Sequence, residues 1–384
     1  MIIYLFILYN DEDHIKYTKL VKLITWQSQT MTPQKIDSNS QVYSDISNPI
    51  SRIVEPSSDF YSIFSQEELV ELIQALELRR EFPLKYSYKG RGANIWNNFY
   101  QKYVVPKWYQ TPSVETDLLK KNFEYINGNY QNCDKINIVD VGCGNSYPVK
   151  NFISQLYKLG RIHKYIALDI SNELLILSKA NFTKWFPLIK FNSSIFDIET
   201  SSIFGDILPK STSIENNDIA NIFLHLGVTI ANHQDRNRVF QNFRNSMGKN
   251  DLLVFTNEIG SNSQWDGTVR GGYKYHVDGI YTWIKKEMGI SSEDCELVRK
   301  YDVETDSITA KIKFNQNYTL SFSQRGIDKC IEIWKNEEIT IWRHHKYQMP
   351  ELIQDLEKAG LQLVHSSHSK YLSPIMVICK VADI

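Results

Sequence analysis

Residues 136–145 read INIVDVGCGN, an apolar, β-branched run too short for an ordinary helix that ends in a glycine-rich turn. Ile136, Ile138, Val139 and Val141 therefore predict a buried strand. Gly142 and Gly144 permit a sharp turn and close approach of the backbone to a ligand. Asn145 or Ser146 is a candidate cap for the next helix, with Pro148 in its first turn. The same pattern returns at residues 165–170 (YIALDI), ending in the carboxylate Asp169, and at residues 189–196, followed by Asp197. Further strand patterns at 219–226 and 252–256 are separated by helical spacing at 236–246, and a helix at 172–184 joins the second strand to the third. Strand, glycine turn, helix, strand and acid in this order predict an α/β fold with a doubly wound sheet. Asp169 and Asp197 then stand along its carboxyl edge, where such sheets bind ligands.

The flanks read differently. Residues 66–80 (QEELVELIQALELRR) carry Leu69, Leu72, Ile73, Leu76 and Leu78 at helical spacing, and residues 117–125 predict the helix that enters the sheet. Between them, residues 85–109 are rich in glycine and aromatics without a clean period, which suits a loop covering the substrate. Residues 307–347 alternate apolar and polar positions, with a hairpin turn expected at 335–337. A short amphipathic helix at 349–359 is stopped by Gly360, and strands near 361–364 and 375–381 close the chain. The expected division is an extension and linker (1–58), the first part of a substrate lobe (59–115) and the cofactor core (116–261). A β-rich insertion completing the lobe (262–349) and the end of the core (350–384) follow.

Composition narrows the class of function. A chain of 384 residues, 42% hydrophobic and 12% aromatic, has ample material for a core. Its 43 basic and 44 acidic residues nearly cancel, and no like-charge run suggests a nucleic-acid partner. Five scattered cysteines without C-x-x-C spacing fit a reducing, cytoplasmic setting and suggest neither a disulfide framework nor a metal site. Cys143 in the glycine turn reads as a small residue in a tight bend. The apolar start MIIYLFILY is too short to span a bilayer and has no basic flank or cleavage site. The first thirty residues are expected to form a poorly packed extension, with Met31 an alternative start and residues 36–58 a linker.

The turn also selects among ligands. The third glycine of a G-x-G-x-x-G dinucleotide turn is replaced by Tyr147, and no G-x-x-x-x-G-K-[ST] loop exists. A D-x-G-x-G turn suits a nucleoside without phosphates, such as S-adenosylmethionine (SAM); a tight structural turn is the plainer alternative.

Several segments together resemble the histidine-specific Nα-methyltransferase family of ergothioneine biosynthesis. Besides the cofactor turn, residues 226–232 (LGVTIAN) look like that family's LGS-T-I-G-N segment. Residues 85–96 (KYSYKGRGANIW) are similar to its K-W-F-Y-D-x-x-G stretch, and residues 108–116 (WYQTPSVET) to its Y-Y-P-T-R-T-E stretch. Residues 337–361 match its E-x-x-x-E-x-S-x-K-F…L-x-x-A-G-L pattern in part. The resemblance implies a class I SAM-methyltransferase sheet with an additional α+β substrate lobe. It places Gly142, Gly144 and Ser146 along the cofactor, Asp169 on its ribose and Asp197 on its adenine amine. Tyr88 and Asn232 would face the substrate's amino group, and Tyr273 or Tyr275 its carboxylate.

Departures from that pattern carry information too. The family's lysine after the glycine turn falls on Pro148, with Lys150 nearby, and its second loop tyrosine falls near Trp108. Its imidazole-reading glutamate and serine fall on Trp342 and His344, so a larger aromatic or apolar amine suits the pocket better than histidine. Asn232 also reads as a plain helix cap, and Trp342 and His344 as packing on one strand face. The expected function is SAM-dependent methylation of the amine of an amino acid or related metabolite, with Tyr88 and Asn232 positioning that amine. The alternatives are methylation at oxygen or carbon of a specialised metabolite, and a non-catalytic methyltransferase-like partner subunit. No metal, nucleic acid or membrane is expected to take part.

Overall fold

The computed structural model describes residues 51–383, apart from 105–109, 132, 134, 204–206, 209–218, 228, 268–271 and 370–372. The expectations for residues 1–50, including the alternative start at Met31, and for Trp108 lie outside the described residues.

The chain opens with β1 (Arg52–Val54), α1 (Ser58–Ile63) and α2 (Gln66–Arg79). A capping box between Ser65 and Glu68 starts α2, which buries Leu69, Leu72, Ile73 and Leu76. Leu78 lies off that stripe and is exposed. The stretch expected to be a linker thus ends in structure: β1 pairs in parallel with Tyr318–Leu320. The expected loop at 85–109 is largely helical where described, with a 3-10 turn (Leu84–Tyr88), α3 (Arg91–Phe99) and a π-turn (Tyr100–Val104). Its glycines and asparagines, poor helix formers, hid the helical spacing of Ile95, Trp96 and Phe99. α4 (Gln110–Lys121) and α5 (Phe123–Gly128) replace the single entering helix.

The core follows with β2 (Lys135–Val141), α6 (Lys150–Lys158), β3 (Ile162–Asp169), α7 (Asn172–Trp185) and β4 (Lys190–Ile195). Next come β5 (Ile219–His225), a 3-10 turn (Thr229–Asn232), α8 (Arg236–Ser246) and β6 (Leu252–Glu258). The lobe adds α9 (Gly272–Glu287), β7 (Cys295–Asp302), β8 (Ser307–Phe314), β9 (Tyr318–Phe322), β10 (Lys329–Ile333) and β11 (Glu338–His344). The chain closes with α10 (Met349–Lys358), β12 (Leu361–His368) and β13 (Pro374–Val381).

Seven strands form the central sheet in the order β12-β13-β6-β5-β2-β3-β4. The last five run parallel, while β13 pairs antiparallel with both β6 and β12. Strand alternation sends Ile136 and Ile138 into one core with Phe152 and Leu156, and Val139 and Val141 into another with Phe240 and Leu356. Both faces are therefore covered, as a doubly wound sheet requires. Because β3 lies on one side of β2 and β5 on the other, the ends of β2 and β5 flank the switch point.

Two small sheets, β1-β9-β10 and β11-β8-β7, share a third core with α1, α2 and α9. Residues 335–337 do turn, but not as a hairpin: β10 pairs with β9 and β11 with β8. The bend instead carries the chain from one small sheet to the other. The helix expected to begin at the glycine turn starts later, at Lys150, without a side-chain cap. Asn145 Oδ1 accepts the Tyr147 N–H instead, and Ser146 takes a left-handed backbone (φ 60°).

Candidate active site

A cleft opens at the carboxyl edge of the sheet, beneath the 3-10 turn and α3. Its wall includes Tyr88, Gly142, Gly144, Asp169, Asp197 and Asn232, and also Trp342 from the lobe. These residues come from six separate segments, and the fold brings them to one place.

Asp169, at the end of β3, ties the cradle together. Its Oδ2 accepts the Gly144 N–H and its Oδ1 the Ser171 N–H, each at 3.0 Å. Burial drives its carboxyl up to about 6, against the three backbone N–H bonds that favour its charge. Gly142 (φ 72°) and Gly144 (φ 53°) both need the left-handed region. They differ in what lies above them. A Cβ on Gly142 would meet nothing nearer than the His225 ring at 4.0 Å, whereas one on Gly144 would sit 2.5 Å from the Trp96 indole. Asp140, on β2, is buried and accepts the Tyr165 hydroxyl. Burial, reinforced by the charges of Asp169 and Glu115, pushes its carboxyl to about 7.

Ser146 does not join the wall. Its side chain is buried, and its hydroxyl bonds Tyr165 and Ser178 at 2.9 and 2.6 Å. Pro148 does line the cleft, while Lys150 Nζ sits 4.6 Å from the Trp185 ring. Asp197 bonds the Glu199 N–H through Oδ1 and Lys85 Nζ through Oδ2, at 2.9 and 2.8 Å.

Asn232 Oδ1 is buried and has no hydrogen-bond partner among the described residues. The Tyr88 ring lies 5.6 Å from the His276 ring, and Phe99 stacks on the same imidazole at 5.9 Å. Burial lowers His276 to about 4, so it faces the cleft as a neutral ring. Trp342 is 6% exposed, with His344 stacked behind it at 5.9 Å and 12°. His344 Nε2 contacts Glu258 at 3.2 Å and stays out of the cleft wall. Tyr275 is 53% exposed and stays out of the wall as well; the Tyr273 side chain lies outside the described residues.

The wall residues missed by sequence reasoning include Lys85, Glu115, Glu199, His225 and His233. Glu115 accepts the Gly227 N–H and, at 2.8 Å, the Thr256 hydroxyl, which pins the segment after β5. Lys85 Nζ meets Glu71, Asp197 and Glu199 at 2.6, 2.8 and 3.5 Å. Burial would lower the Lys85 ammonium, but these carboxylates outweigh it and raise it. The two histidines flank LGVTIAN in sequence, a position that could have drawn attention to them.

A family model described as histidine-specific methyltransferase, SAM-dependent, matches residues 66–377. The chain belongs to that family. Its class I α/β core and its dependence on SAM follow from that membership, with the extra lobe set on the same scaffold. No curated protein matches this methyltransferase. Among solved structures, it is similar to a SAM-dependent methyltransferase from Clostridium acetobutylicum ATCC 824 at 13% identity and a TM-score of 0.41, covering 76% of this chain and 99% of that one. It is also similar to magnesium protoporphyrin IX methyltransferase from Synechocystis PCC 6803 at 9% identity and a TM-score of 0.42, covering 78% and 98%. The aminopentose methyltransferase CalS10 from Micromonospora echinaspora shares 13% identity at a TM-score of 0.37, covering 70% and 92%. Likenesses this distant say nothing of the methyltransferase's substrate. No helix among its described residues is long and apolar enough to cross a membrane, and no group of three or more metal-ligating side chains occurs among them.

Proposed function

We propose that this methyltransferase transfers a methyl group from SAM to the amine of an amino acid or related small metabolite other than histidine. The observation that carries the reading is Asn232, whose buried Oδ1 has no partner among the described residues. A buried acceptor left unpaired costs about 1–3 kcal/mol. An amine N–H entering the cleft beside Tyr88 would satisfy it.

The wall suits the cofactor. Open space above Gly142 accommodates a close-lying chain, and the Asp169 carboxylate keeps acceptor capacity for hydroxyls after its backbone bonds. Ile170, Phe196 and Ile198 offer apolar surface between Asp169 and Asp197 for a flat base. SAM supplies a methyl carbon already activated by its sulfonium. The protein's task is to bring a neutral amine lone pair into line with the C–S bond. Alignment of this kind contributes about 7–11 kcal/mol in favourable cases. An α-amine with a pKa of about 8 is partly neutral at cellular pH, so hydrogen bonds from Asn232 and Tyr88 suffice without a strong base. Trp342, held from behind by His344, presents an apolar ring where the resembled family places a carboxylate, which favours an aromatic or apolar body over an imidazole. Labelled SAM offered with histidine, tryptophan, tyrosine and related amines tests the reading. Methylation at the nitrogen of a non-histidine amine supports it, and methylation of histidine alone contradicts the substrate assignment.

A further inference from the structure

A line of buried and half-buried polar side chains crosses the carboxyl edge of the sheet and reaches the lobe. His225 Nδ1 lies 2.9 Å from the Val141 carbonyl, and His225 Nε2 lies 3.1 Å from His233 Nε2. His233 Nδ1 lies 2.6 Å from Glu199 Oε1, and Glu199 Oε2 lies 3.5 Å from Lys85 Nζ. The two imidazoles stack at 5.3 Å and 12°.

Donor and acceptor chemistry fixes the number of protons in this line. A carbonyl accepts only, so His225 Nδ1 must carry a hydrogen. One proton, and no more, fits between the two Nε2 atoms. A further proton must stand between His233 Nδ1 and Glu199. Every arrangement that makes all three bonds therefore holds one proton more than two neutral rings and a carboxylate. Three residues could carry it. Burial and the neighbouring His233 charge depress His225 to about 3, against its bond to Val141, so His225 is a poor host. Burial pushes the Glu199 carboxyl up, but His233 and Lys85 outweigh it and bring it down to about 2. His233 is the ring in contact with a carboxylate, at 2.6 Å from Glu199, so the geometry places the extra proton there, with both of its nitrogens donating.

The line also ties together the two substrate-facing segments. His233 follows Asn232 directly, and Lys85 precedes Tyr88 by one 3-10 turn. Glu199 is bonded to both anchors, and its own backbone N–H is held by Asp197.

We propose that His225, His233 and Glu199 form a positioning relay in which His233 is an imidazolium, and that Glu199 sets the spacing between Asn232 and Tyr88. The proton count stands on hydrogen-bond chemistry alone; the positioning role rests on the proposed amine methylation.

Imidazole nitrogen NMR on the full chain near neutral pH tests the first part. One ring protonated at both nitrogens, beside a ring protonated only at Nδ1, is expected. In Glu199→Gln the charged pattern should vanish and the Asn232 side-chain amide resonances should shift. With an accepted amine, kcat should fall about a hundredfold in Glu199→Gln, a loss of the size that small misplacements cause. Two neutral rings with Glu199 intact, or an imidazolium on His225, would overturn the proton assignment. Asn232 resonances unmoved in Glu199→Gln would overturn the positioning role. A wild type that methylates no amine, yet shows the charged ring and the shifted amide, would count against the proposed function and not against the relay.

Discussion

Trp96 lies so close over Gly144 that a single added methyl group would stand 2.5 Å from its indole. The glycine turn is therefore constrained by the protein's own lid as well as by its left-handed backbone. Gly144→Ala is expected to lose cofactor binding and to cost about 1–2 kcal/mol from backbone strain alone, with the clash in addition. Adding Trp96→Ala should recover the clash and not the strain. Thermal melts of the single and double variants separate the two contributions.

Asn232→Ala makes a contrasting case. Its Oδ1 is buried and unpaired among the described residues, so deleting it removes a desolvated acceptor. Melting temperature should hold or rise while turnover falls by about one to two orders of magnitude. A variant with full turnover and unchanged KM would remove Asn232 from the site.

Trp342 is both wall and core. Trp342→Ala is expected to cost about 3–5 kcal/mol, which would obscure any effect on substrate. Trp342→Phe keeps an aromatic face against His344, so its fold should survive. The ratio of KM for an aromatic amine to that for an aliphatic one should rise in Trp342→Phe. An unchanged ratio would mean that Trp342 does not select the substrate.

Asp140 gives a pH signature. Its folded carboxyl sits at about 7 because it is buried, whereas an unfolded aspartate titrates near about 4. The folded state therefore binds the proton more tightly. Its stabilising contribution is complete below the lower value and is lost as pH rises through the upper one. Asp140→Asn keeps an acceptor for the Tyr165 hydroxyl and removes the buried charge. Its gain in melting temperature over wild type should grow from mildly acidic to alkaline pH. A gain that is constant with pH would contradict the assignment.

Much of the sheet was legible because each strand carries its own signal. The run 136–141, the acids Asp169 and Asp197, and the helix at 236–246 are local patterns, and the structure contains each of them. The polar line was not legible, because Lys85 and Glu199 are distant in sequence and meet only when the lobe closes on the sheet edge. Ser146 shows a different limit. Sequence places it beside the turn, but its left-handed backbone turns the hydroxyl inward to Tyr165 and Ser178. Helix α3 hid for a third reason: Gly92, Asn94, Asn97 and Asn98 are poor helix formers, and they obscure the helical spacing of Ile95, Trp96 and Phe99.

The most direct test of the account is methyl transfer from labelled SAM to a panel of amines, with the modified atom located by NMR of the product. The account predicts one to three methyl groups on the amine nitrogen of an aromatic or apolar acceptor, and none on histidine. Methylation at oxygen or carbon, or at histidine alone, would contradict it.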